Sequence, residues 1–127
     1  MGRKKNYKPE SFESKASGER YIRLYESMLT SDAYKDLSHS ARTVYTILKL
    51  QYKGDYTGNT VKCRYKDFQE YGMNTSTIKR ALVDLENHGF IKIKYGTKMT
   101  RDTGLRKQMN EYTFVSDWKY WKPDENI

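Results

Sequence analysis

Cysteine is nearly absent from this chain of 127 residues, which contains a single one, Cys63. One cysteine excludes the internal disulfide framework on which many small secreted domains depend. Long apolar runs are also missing: no stretch of ten apolar residues occurs, and the mean hydropathy is −1.00. A membrane-spanning helix needs about 20 mostly apolar residues, so none is predicted. No apolar signal core follows the basic N-terminus, and we expect a cytoplasmic protein.

Residues that commonly carry catalysis or bind metals are few as well. His39 and His88 lie far apart, and with one cysteine they do not form a zinc-binding spacing. The loop pattern of P-loop NTPases does not occur, and no paired carboxylates suggest acid–base chemistry. We therefore expect a protein without enzymatic activity, cofactor or bound metal.

Aromatic residues and positive charge, in contrast, are abundant. Twelve tyrosines, four phenylalanines and two tryptophans provide apolar area for a core, although only 36% of residues are hydrophobic. The chain has 24 basic and 16 acidic residues, a net charge of +8. The excess of positive charge is greatest over residues 73–108, which contain eight basic and three acidic residues. A basic protein of this size most often binds a polyanion, commonly a nucleic acid.

The apolar spacing predicts one domain over residues 21–116, between a flexible basic arm (1–20) and an aromatic tail (117–127). Residues 21–29 fit a strand or a short helix, and Ser31 is suited to cap a short helix through Leu37. A longer helix is predicted after Ser38, followed by a short strand over 60–63. The inward residues of this longer helix are Ala41, Val44, Tyr45, Leu48 and Tyr52. Another helix is predicted over 65–71, ending at Gly72, with Phe68 and Tyr71 inward.

The best-specified helix begins after Asn74, a good N-cap, and ends at Gly89, with Phe90 as hydrophobic partner. Its apolar stripe consists of Ile78, Ala81, Leu82 and Leu85. The residues left on its outer face are Thr75, Ser76, Lys79, Arg80 and Val83. Four of these five can form hydrogen bonds and two are cationic.

A hairpin follows this helix. Ile91, Ile93 and Tyr95 alternate with Lys92 and Lys94, which predicts a strand with one apolar and one basic face. Tyr112 and Phe114 alternate in the return strand. The intervening polar loop, 96–108, is longer than a hairpin needs. Its cations are Lys98, Arg101, Arg106 and Lys107.

This order of elements is that of an α+β winged helix-turn-helix domain, with a three-helix core and a β-hairpin wing. In such a domain the second helix of the pair enters the DNA major groove. The predicted reading residues are Asn74, Thr75, Ser76, Lys79 and Arg80. The predicted wing contacts, to phosphates or the minor groove, are Lys98, Arg101, Arg106 and Lys107. The alternative is an ordinary amphipathic helix within a small α+β domain.

Five segments also carry a resemblance to a known family: YIRL (21–24), LTSDAY (29–34), LSHSARTVY (37–45), YKD (65–67) and GMNTSTIKRAL (72–82). They resemble the N-terminal winged-helix domain of replication initiators and replisome organisers of Gram-positive phages, plasmids and conjugative elements. The resemblance covers roughly residues 20–95. It implies DNA binding by the helix after Asn74, with Arg80 the outward residue that best matches the family pattern.

We therefore expect a double-stranded DNA-binding accessory protein of a mobile genetic element, acting in replication or conjugative transfer at origin DNA. Those initiators usually carry a further domain that engages helicase loading, whereas this chain ends soon after the wing, which favours an accessory factor. The alternatives are a transcriptional repressor of the same element and a winged-helix module for protein–protein interaction. Replication or transfer proteins are possible partners. Trp118 and Trp121 either pack on the domain's own core or form a homodimer contact.

Overall fold

The computed structural model describes residues 20–53, 58–96 and 109–123. Within these ranges the chain has five α-helices and a three-stranded antiparallel sheet, and its fold class is α+β. The helices are α1 (Glu26–Leu29), α2 (Asp32–Asp36), α3 (His39–Gln51), α4 (Tyr65–Gln69) and α5 (Thr75–Asn87). The strands are β1 (Thr60–Cys63), β2 (Ile91–Lys94) and β3 (Asn110–Phe114), and a 3-10 helix spans Asp117–Tyr120. No described helix is both long and apolar enough to cross a bilayer.

Side-chain caps define where α2 and α3 begin, as the sequence predicts. The Ser31 hydroxyl accepts a hydrogen bond from the Tyr34 amide, and the Ser38 hydroxyl accepts one from the Ala41 amide, both at 3.1 Å. Each serine thereby satisfies an amide that has no partner inside its own helix.

Helix α4 begins at Tyr65, as predicted, but it ends earlier than predicted. Arg64 precedes it, and the Asp67 carboxylate accepts a hydrogen bond from the Arg64 amide at 2.9 Å, which caps the helix from inside its first turn. The helix ends at Gln69, and the Tyr71 amide donates to the Phe68 carbonyl within a turn. Tyr71 therefore leaves the helical face. The prediction that it points inward is wrong: its side chain is 56% exposed.

The sheet has the strand order β1-β3-β2, with β3 in the centre. Ile93 and Val61 both lie opposite Tyr112 on the inner face, while Lys92 and Lys94 are exposed on the outer face. The predicted apolar and basic faces of the hairpin are therefore confirmed. Tyr95 is an exception, because it lies beyond the end of β2 and is exposed.

The core lies between the helices and the inner face of the sheet. Helix α3 packs against α5 and β1, and α5 packs against β2. Aromatic rings fill this space edge to face: the Tyr45 ring is 5.6 Å from the rings of both Phe90 and Phe114. Burial raises the pKa of Tyr45 to about 12. The core thus fixes α5 by its inner face and leaves its outer face uncovered.

The segment after β3 packs on this same core. The Trp118 ring stacks on Phe90 at 6.0 Å between centroids, and the Trp121 ring lies 4.7 Å from the imidazole of His88. The Trp118 amide also donates to the Gly89 carbonyl at 3.0 Å. Of the two alternatives for these tryptophans, packing on the chain's own core is observed, and a homodimer through them stays a prediction.

Candidate nucleic-acid interface

Both ends of α5 are fixed by local hydrogen bonds, where the sequence predicts them. At the N-terminus the Asn74 side-chain oxygen accepts from the Thr77 amide at 2.9 Å. At the C-terminus the Phe90 amide donates to Leu85 and the Gly89 amide to Glu86, at 3.0 and 3.1 Å. Gly89 has a φ of +84° there, which completes a Schellman motif.

The two faces of α5 separate as predicted. The inner stripe, which is almost fully buried, consists of Ile78, Ala81, Leu82 and Leu85. The exposed outer residues are Thr75, Ser76, Lys79, Arg80 and Val83. Neither Lys79 nor Arg80 forms an ion pair within the described ranges. The helix thus presents hydroxyl groups and two cationic side chains to solvent.

Asn74 is exposed beside this face, but its side-chain oxygen is engaged in the cap. Its position gives it two possible roles, capping α5 and contacting a ligand. The structure shows the capping role directly.

A tight turn places α4 beside the start of α5. Gly72 has a φ of +84° in this turn, a conformation that favours glycine. The Gln69 side-chain amide donates to the Thr75 hydroxyl at 3.2 Å and so joins the two helices. Sequence reasoning missed this link, and it also missed that Tyr71 is exposed next to the turn. Tyr71 is exposed because α4 ends at Gln69, earlier than the sequence predicts.

A groove of about 460 Å³ runs along α5 beside the start of α3. Its lining residues are Ser38, Ser40, Thr77, Arg80, Ala81, Val83, Asp84 and Asn87. The carboxylate of Asp84 is already engaged, because it accepts from the Ser38 amide at 2.9 Å and lies 3.2 Å from the His88 ring. The groove therefore combines the hydroxyl groups of Ser40 and Thr77 with the exposed guanidinium of Arg80.

His88 is buried at the end of α5, with only 7% of its surface exposed. Its Nε2 lies 2.8 Å from an Asp36 carboxylate oxygen, and its Nδ1 lies 2.8 Å from the Asp84 carbonyl oxygen. Burial lowers the pKa of His88, but these hydrogen bonds outweigh burial, and the pKa is raised. No local signal marks Asp36 as its partner, because the two residues are 52 positions apart.

The cations predicted on the wing, Lys98, Arg101, Arg106 and Lys107, lie outside the described residues. The base of the hairpin is described: the Gly96 amide donates to the Asn110 side chain at 2.8 Å. This bond closes the strands next to the predicted wing.

Cys63 is buried on β1, and its thiol lies 3.6 Å from an Asp67 carboxylate oxygen. Burial, and then the charge of Asp67, raise the pKa of this thiol to about 12. The thiol is therefore protonated at neutral pH and is a poor nucleophile.

The arrangement can bind an anion or a base edge, because it offers uncovered cations and hydroxyl groups on a helix held rigidly from behind. Within the described residues, His, Cys, Asp and Glu side chains form no group of three that could hold a metal ion. Comparisons of the chain with protein-family models, with curated proteins and with solved structures gave no significant match.

Proposed function

We propose that this chain is a double-stranded DNA-binding protein of the winged helix-turn-helix type. Helix α5 enters the major groove, and the hairpin β2–β3 carries the wing. The observation that supports this most is the outer face of α5, where Thr75, Ser76, Lys79 and Arg80 are exposed together. The order α4, tight turn, α5 and hairpin is the order this class of domain requires.

The mechanism follows from the chemistry of these side chains. The major groove is about 12 Å wide and admits one α-helix, which reads base edges with its outward residues. Arg80 can donate two hydrogen bonds to a guanine, while Thr75 and Ser76 can bond to bases or phosphates. Lys79 contributes attraction to the phosphate backbone, and the buried stripe of α5 holds these groups in a fixed orientation.

The composition of the outer face favours DNA over a protein ligand. A helix that docks on another protein usually exposes an apolar patch. On α5 only Val83 is an exposed large apolar residue. Its neighbours on the helix surface, three and four positions away, are Lys79, Arg80, Glu86 and Asn87. Electrostatic attraction to a polyanion is also consistent with the net charge of +8.

The test is a titration of the full chain against labelled duplexes, followed by fluorescence anisotropy at two salt concentrations. Arg80→Ala should cost about 1–3 kcal/mol at the preferred sequence and relax specificity at one base position. The matched control is Lys35→Ala, which removes an exposed cation on α2 rather than on α5 and should have little effect.

If Arg80→Ala and Lys35→Ala weaken binding equally on preferred and random DNA, α5 does not read sequence. Absence of duplex binding by the unaltered chain at low salt would refute the proposal. In that case the protein-interaction alternative would be the one to pursue.

We further propose, from the resemblance given above, that the DNA belongs to a mobile element and that the chain assists replication or conjugative transfer. Three duplexes separate this role from repression: the region upstream of its own gene, the origin of the element that carries it, and random sequence. Preference for the origin supports an accessory role. Preference for the upstream region indicates a repressor, and equal, salt-sensitive affinity for all three indicates nonspecific coating.

A further inference from the structure

Aromatic and cationic side chains alternate along the segment that precedes α1. Tyr21, Arg23 and Tyr25 are exposed, whereas Ile22 and Leu24 between them are half-buried. Leu24 packs against the core, which anchors the segment to the domain. The three exposed side chains therefore lie on the side of the segment that faces solvent. The two tyrosines are 59% and 64% exposed.

Arg23 lies between the two tyrosines on this exposed side of the segment. Side-chain hydrogen bonding with Tyr21, and then with Tyr25, raises the pKa of the Arg23 guanidinium. The segment thus holds a permanent positive charge next to two exposed aromatic rings.

The end of α3 adds a second cation beside this segment. The ammonium nitrogen of Lys49 lies 5.2 Å from the ring centroid of Phe114 and 6.0 Å from that of Tyr52. Burial lowers the pKa of Lys49, and Tyr25 opposes this shift in part. The Arg20 guanidinium donates to the Tyr52 carbonyl and brings a further charge. We name this surface the Tyr–Arg patch and define it as Tyr21, Arg23, Tyr25, Lys49 and Tyr52.

The Tyr–Arg patch is separate from the groove beside α5. That groove includes Ser38, at the start of α3, whereas the patch includes Tyr52, just after its end. These positions are about 20 Å apart along a helix that rises 1.5 Å per residue. Phe114, which Lys49 contacts, ends β3, while the hairpin loop joins β3 at Asn110. The patch therefore lies at the opposite end of the sheet from the predicted wing.

We propose that the Tyr–Arg patch is a second binding surface, which takes single-stranded nucleic acid. Unpaired bases stack on the rings of Tyr21 and Tyr25, and the phosphates contact Arg23 and Lys49. Proteins that bind single strands combine aromatic rings for the bases with cations for the backbone, and both are present here. In a duplex the base faces are covered by neighbouring bases, so exposed rings favour a single strand. This activity goes beyond the duplex binding proposed for α5.

The test uses the full chain and a labelled oligonucleotide of about 20 thymidines, followed by anisotropy at low salt. The double variant Tyr21→Leu/Tyr25→Leu keeps apolar volume but removes both stacking rings. We expect it to lower affinity for the single strand at least about tenfold, since each stacked base contributes measurably. Duplex affinity should be unchanged. The matched control is Tyr120→Leu, which removes an aromatic ring that is 82% exposed outside the patch and should change neither affinity.

Three results would overturn the proposal: no binding of the oligonucleotide by the unaltered chain, an equal loss in Tyr120→Leu, or an equal loss of duplex affinity in the double variant. If the unaltered chain does not bind the oligonucleotide, the next hypothesis to test is a protein ligand for the Tyr–Arg patch. A chain that binds duplex but not the single strand refutes only the patch, and the reverse result refutes only the role of α5.

A second measurement does not depend on the folding of any variant. An oligonucleotide that carries 5-iododeoxyuridine crosslinks on irradiation to aromatic side chains against its bases, and mass spectrometry identifies the crosslinked residue. Crosslinks at Tyr21 or Tyr25 in the unaltered chain support the proposal. Crosslinks confined to residues outside the Tyr–Arg patch would overturn it.

Discussion

Gly89 is a single residue on which both the end of α5 and the position of the C-terminal segment depend. Its φ of +84° is a conformation that residues with a Cβ rarely adopt. A Cβ at this position would also lie 2.6 Å from the Trp118 nitrogen and 2.7 Å from the Asp117 carbonyl carbon. Both are backbone atoms, so they cannot move aside by a side-chain rotation. Glycine is required here for conformation and for contact.

We expect Gly89→Ala to destabilise the protein more than Gly72→Ala. Gly72 has the same φ of +84°, but a Cβ there would meet nothing within 4 Å. Gly72→Ala should therefore lower the free energy of unfolding only by the cost of a left-handed backbone conformation, roughly 1–2 kcal/mol. Gly89→Ala adds a steric clash, typically about 1–3 kcal/mol more. Urea unfolding followed by circular dichroism measures both, and equal losses would contradict the role of the contact.

His88 is the second residue with a consequence that can be measured. Its two ring nitrogens both face acceptors on Asp36 and Asp84, so the protonated ring satisfies both bonds. Because the pKa of His88 is raised above its ordinary value of 6.5, the folded state binds the proton more tightly than the unfolded state. The resulting stabilisation is fully present below pH 6.5 and is lost as the pH rises through the raised pKa.

We therefore expect the free energy of unfolding to fall as the pH is increased across this window. His88→Gln should abolish most of this dependence, whereas His39→Gln, at an exposed position, should preserve it. Urea titrations at a series of pH values give the slope for each protein. An unchanged slope in His88→Gln would show that another group is responsible.

At the scale of elements, α5 and α4 illustrate how differently two neighbouring helices are specified. Helix α5 contains its own N-cap and a glycine at its C-terminal end, so its bounds follow from residues within one turn of each end. Helix α4 has only five residues, and it has no capping side chain at Arg64. It depends on Asp67 and on packing of the buried Phe68 against the Tyr112 ring.

Asn74 gives a prediction at this scale that separates its two possible roles. Asn74→Ala should cost about 1 kcal/mol of stability, since the Thr77 amide loses its partner. Asn74→Ser keeps a capping oxygen and should restore stability. If Asn74→Ser also keeps duplex affinity, the residue acts on DNA through α5. If affinity falls while stability is kept, Asn74 contacts the DNA itself.

At the scale of the whole molecule, the C-terminal segment is part of the same packed body as the helices. Both tryptophans of the chain lie in it, and both rings pack on residues at the end of α5 or just beyond it. We expect urea transitions measured by tryptophan fluorescence and by far-ultraviolet circular dichroism to coincide. An earlier fluorescence transition would show that this segment detaches before the helices unfold. Trp118→Leu, which removes the stack on Phe90, should lower the common midpoint.

Much of the architecture could be predicted from the sequence because its determinants are local. Caps at Ser38 and Asn74, the glycine at position 89 and the apolar stripe of α5 act over a few residues. The same locality explains why the outward residues of α5 could be identified, since helical spacing alone assigns them to one face. The wing cations Lys98, Arg101, Arg106 and Lys107 stay predictions, as do the DNA contacts.

The sequence by itself therefore determined the α+β class, the start of α3, both ends of α5 and the cationic face of α5. Only the tertiary structure decided that Tyr71 is exposed, that His88 bonds to Asp36, and that Tyr21, Arg23 and Tyr25 share an exposed side of their segment. Helix and strand periodicity is set by hydrogen bonds between residues close in the chain. Contacts between elements depend instead on how separate segments pack in three dimensions. A local sequence pattern does not predict such contacts.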